Sequence, residues 1–398
     1  MRLRRLKTTV RTRNDKGRGP ELMPGRTLLV TNDFPPRQGG IETFCYELAV
    51  RLACHGGVVV YTSTSPGDGD FDARLDFPVV RDRATTLLPT PRVAARAAAL
   101  LREYACDRVL FGAAAPLGLA ARRLRAAGAR RIVAMTHGHE VWWARLPGSR
   151  ALLRRIGRHV DALTYLGRFT RSALERALAP ADREKLVRLV PGVDPDLFHP
   201  DVDGSGVRGR YGLGDAPVVL CVARLVPRKG VDTLIRALPQ IRERVPDARL
   251  LVVGKGPDER RLHTLAERAG VAEAVVFTGG RPHAELPAFF AAADVFAMPS
   301  RTRRFGLEAE GLGIVYLEAA ASGLPVLVGA SGGAPDTVQH GDTGFVVDGR
   351  NPAAVAEHAA ALLADPETAQ TMGKRGREWV LAEWTWQASA ERMLALLD

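Results

Sequence analysis

SRTRRFGLEAEGLGIVYLEAAASG, residues 300–323, sets two carboxylates, Glu310 and Glu318, eight residues apart across a glycine-broken turn that runs into an apolar stretch. With a helix starting near Gly313, Glu310 lies in the loop ahead of it and Glu318 faces inward about one turn later. The first turn of that helix, Gly313-Ile314-Val315, offers unpaired N–H groups and the positive end of the helix dipole to an anion. A diphosphate lodged there would have one carboxylate toward each end, one for a sugar and one for a ribose. Gly311 and Gly313 would let backbone approach such a ligand closely. Two glutamates alone would be an ordinary surface helix; the whole segment carries the reading.

Outward from this segment the chain reads as alternating strands and helices. On its C-terminal side, residues 325–330 form a buried strand leading into a second glycine-rich loop, with helices at 352–364 and 367–398. On its N-terminal side, strands at 218–225, 249–254, 274–279 and 294–300 alternate with helices at 230–244, 257–269 and 283–292. Residues 191–217, rich in Pro, Gly and Asp, read as an interdomain connection. The first half repeats the pattern. Strands fall at 26–32, 58–63, 108–113, 131–137 and 162–167, with helices from Ile41 and at 92–105, 116–127 and 149–159. Ile41, Phe44, Cys45, Leu48, Ala49 and Leu52 mark the apolar face of the first helix. Short apolar strands separated by helices imply α/β architecture with doubly wound parallel sheets. The expectation is two Rossmann-like domains facing across a cleft. The boundaries are a basic arm at 1–25, an N-terminal Rossmann-like domain at 26–200, a C-terminal Rossmann-like domain at 201–380 and a C-terminal helix at 381–398 packing back on the first domain.

Composition limits the function classes. A 46% hydrophobic content supports two cores, and no apolar run is long enough to span a bilayer. The N-terminus has no apolar segment of the secretory kind. Cys45, Cys54, Cys106 and Cys221 lack metal-ligand spacing and read as reduced thiols of a cytoplasmic protein. Of the net charge of +12, residues 1–26 carry +7, from nine basic against two acidic residues. That arm is aperiodic and reads as disordered, and Met23, just before the first strand, is an alternative start. A folded body of about +5 argues against a nucleic-acid binder. Only six of the 56 basic residues are lysines. Lys229 and Lys255, retained in glycine-flanked loops after strands, therefore stand out, because lysine and arginine differ as ligands.

The other candidate residues sit at predicted carboxyl ends of strands, where α/β sheets bind ligands. Gly39-Gly40 ends the loop after the first strand and opens a helix toward a phosphate or sugar. His137 follows the strand at 131–137 and can border a bound sugar; no third ligand accompanies it and His139 for a metal. Asp68 and Asp70 form D-x-D in a polar loop, a pattern that holds metal diphosphates elsewhere, but a metal site there is not the favoured reading. Arg224 and Lys229, five apart after the second domain's first strand, would neutralise charge on a departing diphosphate. Gly254-Lys255 closes the next strand and could face the nucleotide. Arg150, Arg154 and Arg158 make one basic stripe on the helix after Gly148, with Trp142 and Trp143 just upstream, a combination suited to an anionic lipid interface.

TNDFPPRQGGIE, FGAAAPLGLAA, THGHEVWWARLPGSRALLRRIG, RLVPRKGVDTLI and RTRRFGLEAEGLGIVYLEA together resemble the retaining GT-B glycosyltransferases of family 4, from Thr27 to the C-terminal helix. Within that family the resemblance is strongest to the actinobacterial GDP-mannose-dependent transferases that build phosphatidylinositol mannosides. It implies Glu310 on the donor mannose, Glu318 on the ribose, Arg224 and Lys229 on the diphosphate, His137 beside the reacting sugar and Gly40 near the donor. It also implies no metal or other cofactor, a phosphatidylinositol monomannoside acceptor, an α-1,6 linkage and peripheral contact with the inner face of the plasma membrane. The basic arm has no role in that pattern. Another donor or acceptor in the same fold, a sugar-nucleotide epimerase and a non-enzymatic nucleic-acid binder are the competing readings.

Overall fold

Two separate parallel sheets, of seven and six strands, organise the computed structural model, which describes residues 25–306 and 308–398. Residues 1–24, and with them the reading of the basic arm, lie outside the described residues. The first sheet comprises β1 (Thr27–Val30), β2 (Val58–Ser63), β3 (Val79–Asp82), β4 (Arg108–Phe111), β5 (Arg131–Ala134), β6 (Ala162–Tyr165) and β7 (Leu186–Arg188), in the order 3-2-1-4-5-6-7. The second comprises β8 (Val218–Val222), β9 (Arg249–Val253), β10 (Val275–Phe277), β11 (Val295–Met298), β12 (Val326–Gly329) and β13 (Gly344–Val347), in the order 10-9-8-11-12-13. β1, β2, β11 and β12 are buried at every residue. Helices cover both sheet faces, so central strands need no polar side.

In each sheet the strand order reverses once, between β1 and β4 and between β8 and β11. Loops leaving a parallel sheet at such a point diverge and open a crevice at the carboxyl ends of the strands. The loops after β1, β8 and β11 carry Gly39-Gly40, Arg224–Lys229 and Glu310.

The helix Gly40–Ala53 buries Phe44, Cys45, Leu48, Ala49 and Leu52, with Ile41 half-buried beside them. Most predicted strands end one to three residues early, because the residues beyond curl into the crevice loops. The reading missed β3, β7 and β13, all edge strands of three or four residues, none of them buried throughout. It also missed the helices Glu140–Arg145 and Arg168–Ala177.

Two expectations are corrected. Asp68–Asp72 is a short helix rather than a loop, and Asp68 accepts from Ser65 N–H at 3.0 Å and Thr64 Oγ1 at 2.8 Å. The predicted helix at 367–398 is two helices, Pro366–Glu383 and Trp386–Leu397. They break where Trp384 is fully buried and the Thr385 hydroxyl caps the next helix at Ala388 N–H, so the last helix begins at 386 rather than 381. Trp386–Leu397 lies against Gly40–Ala53 of the first domain. Its Trp386 ring sits 5.7 Å from Phe44, and the Leu396 carbonyl accepts from Arg131 Nε at 2.7 Å.

Candidate active site

At the second crevice Arg228 Nη1 and Lys229 Nζ each lie 2.7 Å from the same oxygen, Oε2 of Glu310. The Glu310 and Lys229 side chains are only 8% and 11% exposed, and two cations facing one oxygen offset the cost of burying this carboxylate. Its backbone is held as well. The Glu310 N–H donates to Ser331 Oγ at 3.1 Å, and its carbonyl accepts from Gly333 N–H at 2.9 Å. Gly313 then turns the chain with a φ of +85°, where a Cβ would strike the Tyr316 ring, and the helix Ile314–Ala321 begins. No side chain caps this helix, and Gly313, Ile314 and Val315 are half-buried, so the first-turn amides are open to an anion.

Glu318 is buried on the same helix, its Oε1 2.8 Å from His283 Nε2. That hydrogen bond raises the His283 pKa above its ordinary value, against the opposing effect of its burial. Arg224 is exposed in the loop after β8 and has no ion-pair partner among the described residues. Gly254 N–H bonds the Gly279 carbonyl at 2.9 Å, and the exposed Lys255 runs along Gly279 and Gly280.

His137 forms the facing wall. Its Nε2 is 2.5 Å from the Gly112 carbonyl, which can only accept, so Nε2 carries the hydrogen and donates the bond. Burial lowers its pKa to about 4, so the imidazole is neutral at physiological pH. The His137 backbone N–H donates to the fully buried Glu140 at 3.0 Å, and His139 Nε2 lies 3.2 Å from the other Glu140 oxygen. Desolvation raises the Glu140 pKa, and that of Asp33 nearby, where Glu42 adds to the effect. Gly39 and Gly40 are exposed at the uncapped start of the helix Gly40–Ala53, and a side chain at Gly40 would meet open space. The two walls touch: a Cβ on Gly311 would come within 3.3 Å of the His137 carbonyl.

The structure thus brings Lys229, Glu310, Gly313, Ile314, Val315 and Glu318 together, with His137 across the cleft. Arg150, Arg154 and Arg158 are elsewhere, exposed on the helix Pro147–His159, whose Leu153, Ile156 and Gly157 face the core. Arg154 Nε also bonds the Ala177 carbonyl at 3.1 Å. Trp143 packs half-buried on the core and Trp142 lies under Arg145 at 5.2 Å. Leu146 and Leu152 beside them are 62% and 39% exposed. Sequence reasoning missed Arg228 and His283. Arg228 adjoins Lys229 in the motif but looks like any other arginine of this chain. The His283 contact spans 35 positions and leaves no local signal.

Two Rossmann-like domains with facing carboxyl edges, and a cleft pairing basic residues with the two glutamates, define a GT-B glycosyltransferase. The family model of group 1 glycosyl transferases matches residues 208–379, and that of glycosyltransferase family 4 matches residues 38–197. A GDP-mannose-dependent alpha-(1-6)-phosphatidylinositol monomannoside mannosyltransferase of Mycolicibacterium smegmatis is 52% identical over 93% of this chain and 98% of its own. A D-inositol 3-phosphate glycosyltransferase of Corynebacterium glutamicum is 37% identical over 55% of this chain and 52% of its own. The Anabaena protein HepE, solved with UDP, superposes with a TM-score of 0.78 over 94% of this chain and 99% of its own at 22% identity, a likeness of fold. This chain belongs to the family-4 glycosyltransferases.

Proposed function

We propose that this enzyme moves mannose from GDP-mannose to a phosphatidylinositol monomannoside, forming an α-1,6 linkage with retained configuration. The observation that carries this reading is the 52% identity running through 98% of the mannosyltransferase relative, both domains included. Similarity to the inositol 3-phosphate enzyme stops at about half of each chain. The donor diphosphate sits at the open amides of Ile314 and Val315, and Arg224 and Lys229 stabilise the charge it gains on departure. Donor binding draws Lys229 off Glu310, whose carboxylate then takes a mannose hydroxyl, while Glu318 takes the ribose. Neutral His137 borders the anomeric centre without setting a positive charge against the one that develops there. Attack from the leaving-group face lets the departing phosphate accept the acceptor's proton.

In this reading two protein cations fill the role a metal would play. Among the described residues no group of three or more His, Cys, Asp or Glu is placed to hold a metal ion. Among the same residues no helix is long and apolar enough to cross a membrane. The exposed basic face with Leu146 and Leu152 supports peripheral contact with anionic lipid on the cytoplasmic side, where the acceptor headgroup would be reached.

The test offers labelled GDP-mannose, UDP-glucose and UDP-N-acetylglucosamine with purified phosphatidylinositol monomannoside. Label should enter lipid from GDP-mannose alone, and Glu310→Gln should cut kcat by about two orders of magnitude while GDP still binds. Transfer from a uridine donor in preference, or full activity of Glu310→Gln, would refute the reading.

A further inference from the structure

We propose that Asp336 is a positioning residue for sugar transfer: from the donor domain its carboxylate caps a helix of the acceptor domain and so seats the loop that holds Glu310. The helix Arg168–Ala177 follows β6 and has no cap of its own, because its N-cap residue is Gly167. The missing acceptor comes from the other domain. Asp336 Oδ2 takes the Arg168 backbone N–H at 2.8 Å, and Oδ1 takes Arg168 Nε at 2.7 Å. Gly167 makes room for this approach, since a Cβ there would collide with Asp336 Oδ2. The Asp336 side chain is only 12% exposed whereas that of Arg168 is 83% exposed. The backbone cap and the helix dipole therefore outweigh the solvent-screened ion pair.

Asp336 lies in the 3-10 turn Ala334–Thr337, which directly follows the loop whose Ser331 Oγ and Gly333 N–H hold the Glu310 backbone. The acceptor domain thus grips, through one carboxylate, the loop that aims the sugar-binding glutamate. The open amides of Ile314 and Val315 and the ribose carboxylate Glu318 have no part in that grip. Losing the cap should misplace Glu310 and leave nucleotide binding intact. The inference rests on the proposed role of Glu310 in transfer from GDP-mannose.

The experiment compares wild type, Asp336→Ala, Gly167→Ala, their double variant and Arg168→Ala, all checked for wild-type-like cooperative melting. Transfer from GDP-mannose is measured alongside GDP affinity by calorimetry. Gly167 has extended backbone, so alanine is tolerated there and acts only by pushing the carboxylate away. The expected result is about a tenfold loss of kcat in each of the first two variants, the scale of a lost cap. GDP affinity should stay within twofold, the double variant should be no worse than either single one, and Arg168→Ala should stay near wild type. Unchanged kcat in Asp336→Ala, an additive double variant, a parallel loss of GDP affinity, or an Arg168→Ala as poor as Asp336→Ala would each overturn the proposal. If wild type transfers nothing from GDP-mannose, the functional reading has failed, and small-angle scattering decides the cap independently. A larger radius of gyration for Asp336→Ala then supports the cross-domain cap, and an unchanged one overturns it.

Discussion

Lys229 and Arg228 share one oxygen of a nearly buried carboxylate, and the two cations differ in what they can do there. An ammonium is a compact point charge that can swing to a diphosphate, whereas a second guanidinium fork beside Arg228 would be crowded. Lys229→Arg should therefore lower kcat about tenfold at unchanged net charge, the size of one charge-assisted hydrogen bond spoiled; turnover equal to wild type would show that the lysine is incidental. His283 gives a pH signature. Its pKa is raised by Glu318, so the pair stabilises the fold fully below the ordinary histidine value and loses that contribution as pH rises through the raised value. The melting-temperature gap between wild type and His283→Ala should be wider at pH 6 than at pH 9, and a gap independent of pH would exclude a charged pair. At this scale the sequence pointed to Glu310, Glu318 and Lys229 because glycines and strand ends surround them. Arg228 and His283 stayed hidden because nothing local distinguishes them from their neighbours.

The helix Pro147–His159 shows what a single element contributes. Its buried stripe of Leu153 and Ile156 ties it to the first domain, which leaves the arginines exposed next to Leu146 and Leu152. Arg122, Arg155, Arg158 and Lys185 all act on His159 and, after desolvation, push its pKa down, so the basic field extends beyond the predicted stripe. Arg154 holds the Ala177 carbonyl, and a clean test leaves it in place. In a chain beginning at Met23, Arg150→Gln, Arg155→Gln and Arg158→Gln together should weaken binding to phosphatidylinositol vesicles by about two orders of magnitude, at about 1 kcal/mol per charge. High salt should weaken wild type similarly. Vesicle sedimentation insensitive to both would remove this face from the membrane reading.

At the scale of the molecule, Trp386–Leu397 returns the end of the chain to the first domain. Arg108 pairs with Asp398 at 2.5 Å, Ser389 Oγ bonds the Val190 carbonyl at 2.6 Å, and Met393 and Leu397 are buried. Burial of those two apolar side chains alone is worth about 3–6 kcal/mol. Truncation after Thr385 should lower the melting temperature by on the order of 10 °C, and calorimetry showing no shift would mean the helix is dispensable for stability. Sequence periodicity was enough to show doubly wound α/β domains and the helix opening at Gly313, because apolar spacing and glycine placement are properties of neighbouring residues. It also marked the loops that bear the site, since those loops interrupt apolar strands with Gly, Pro and charge. The edge strands β3, β7 and β13 escaped it, being half-buried and stabilised by a neighbour rather than by their own pattern. Only the tertiary structure decided which cations meet Glu310, that His283 faces Glu318 and that Asp336 caps a helix of the opposite domain. Each of those contacts joins side chains or backbone from distant segments, and their geometry exists only once the strand order has brought the loops to the same crevice.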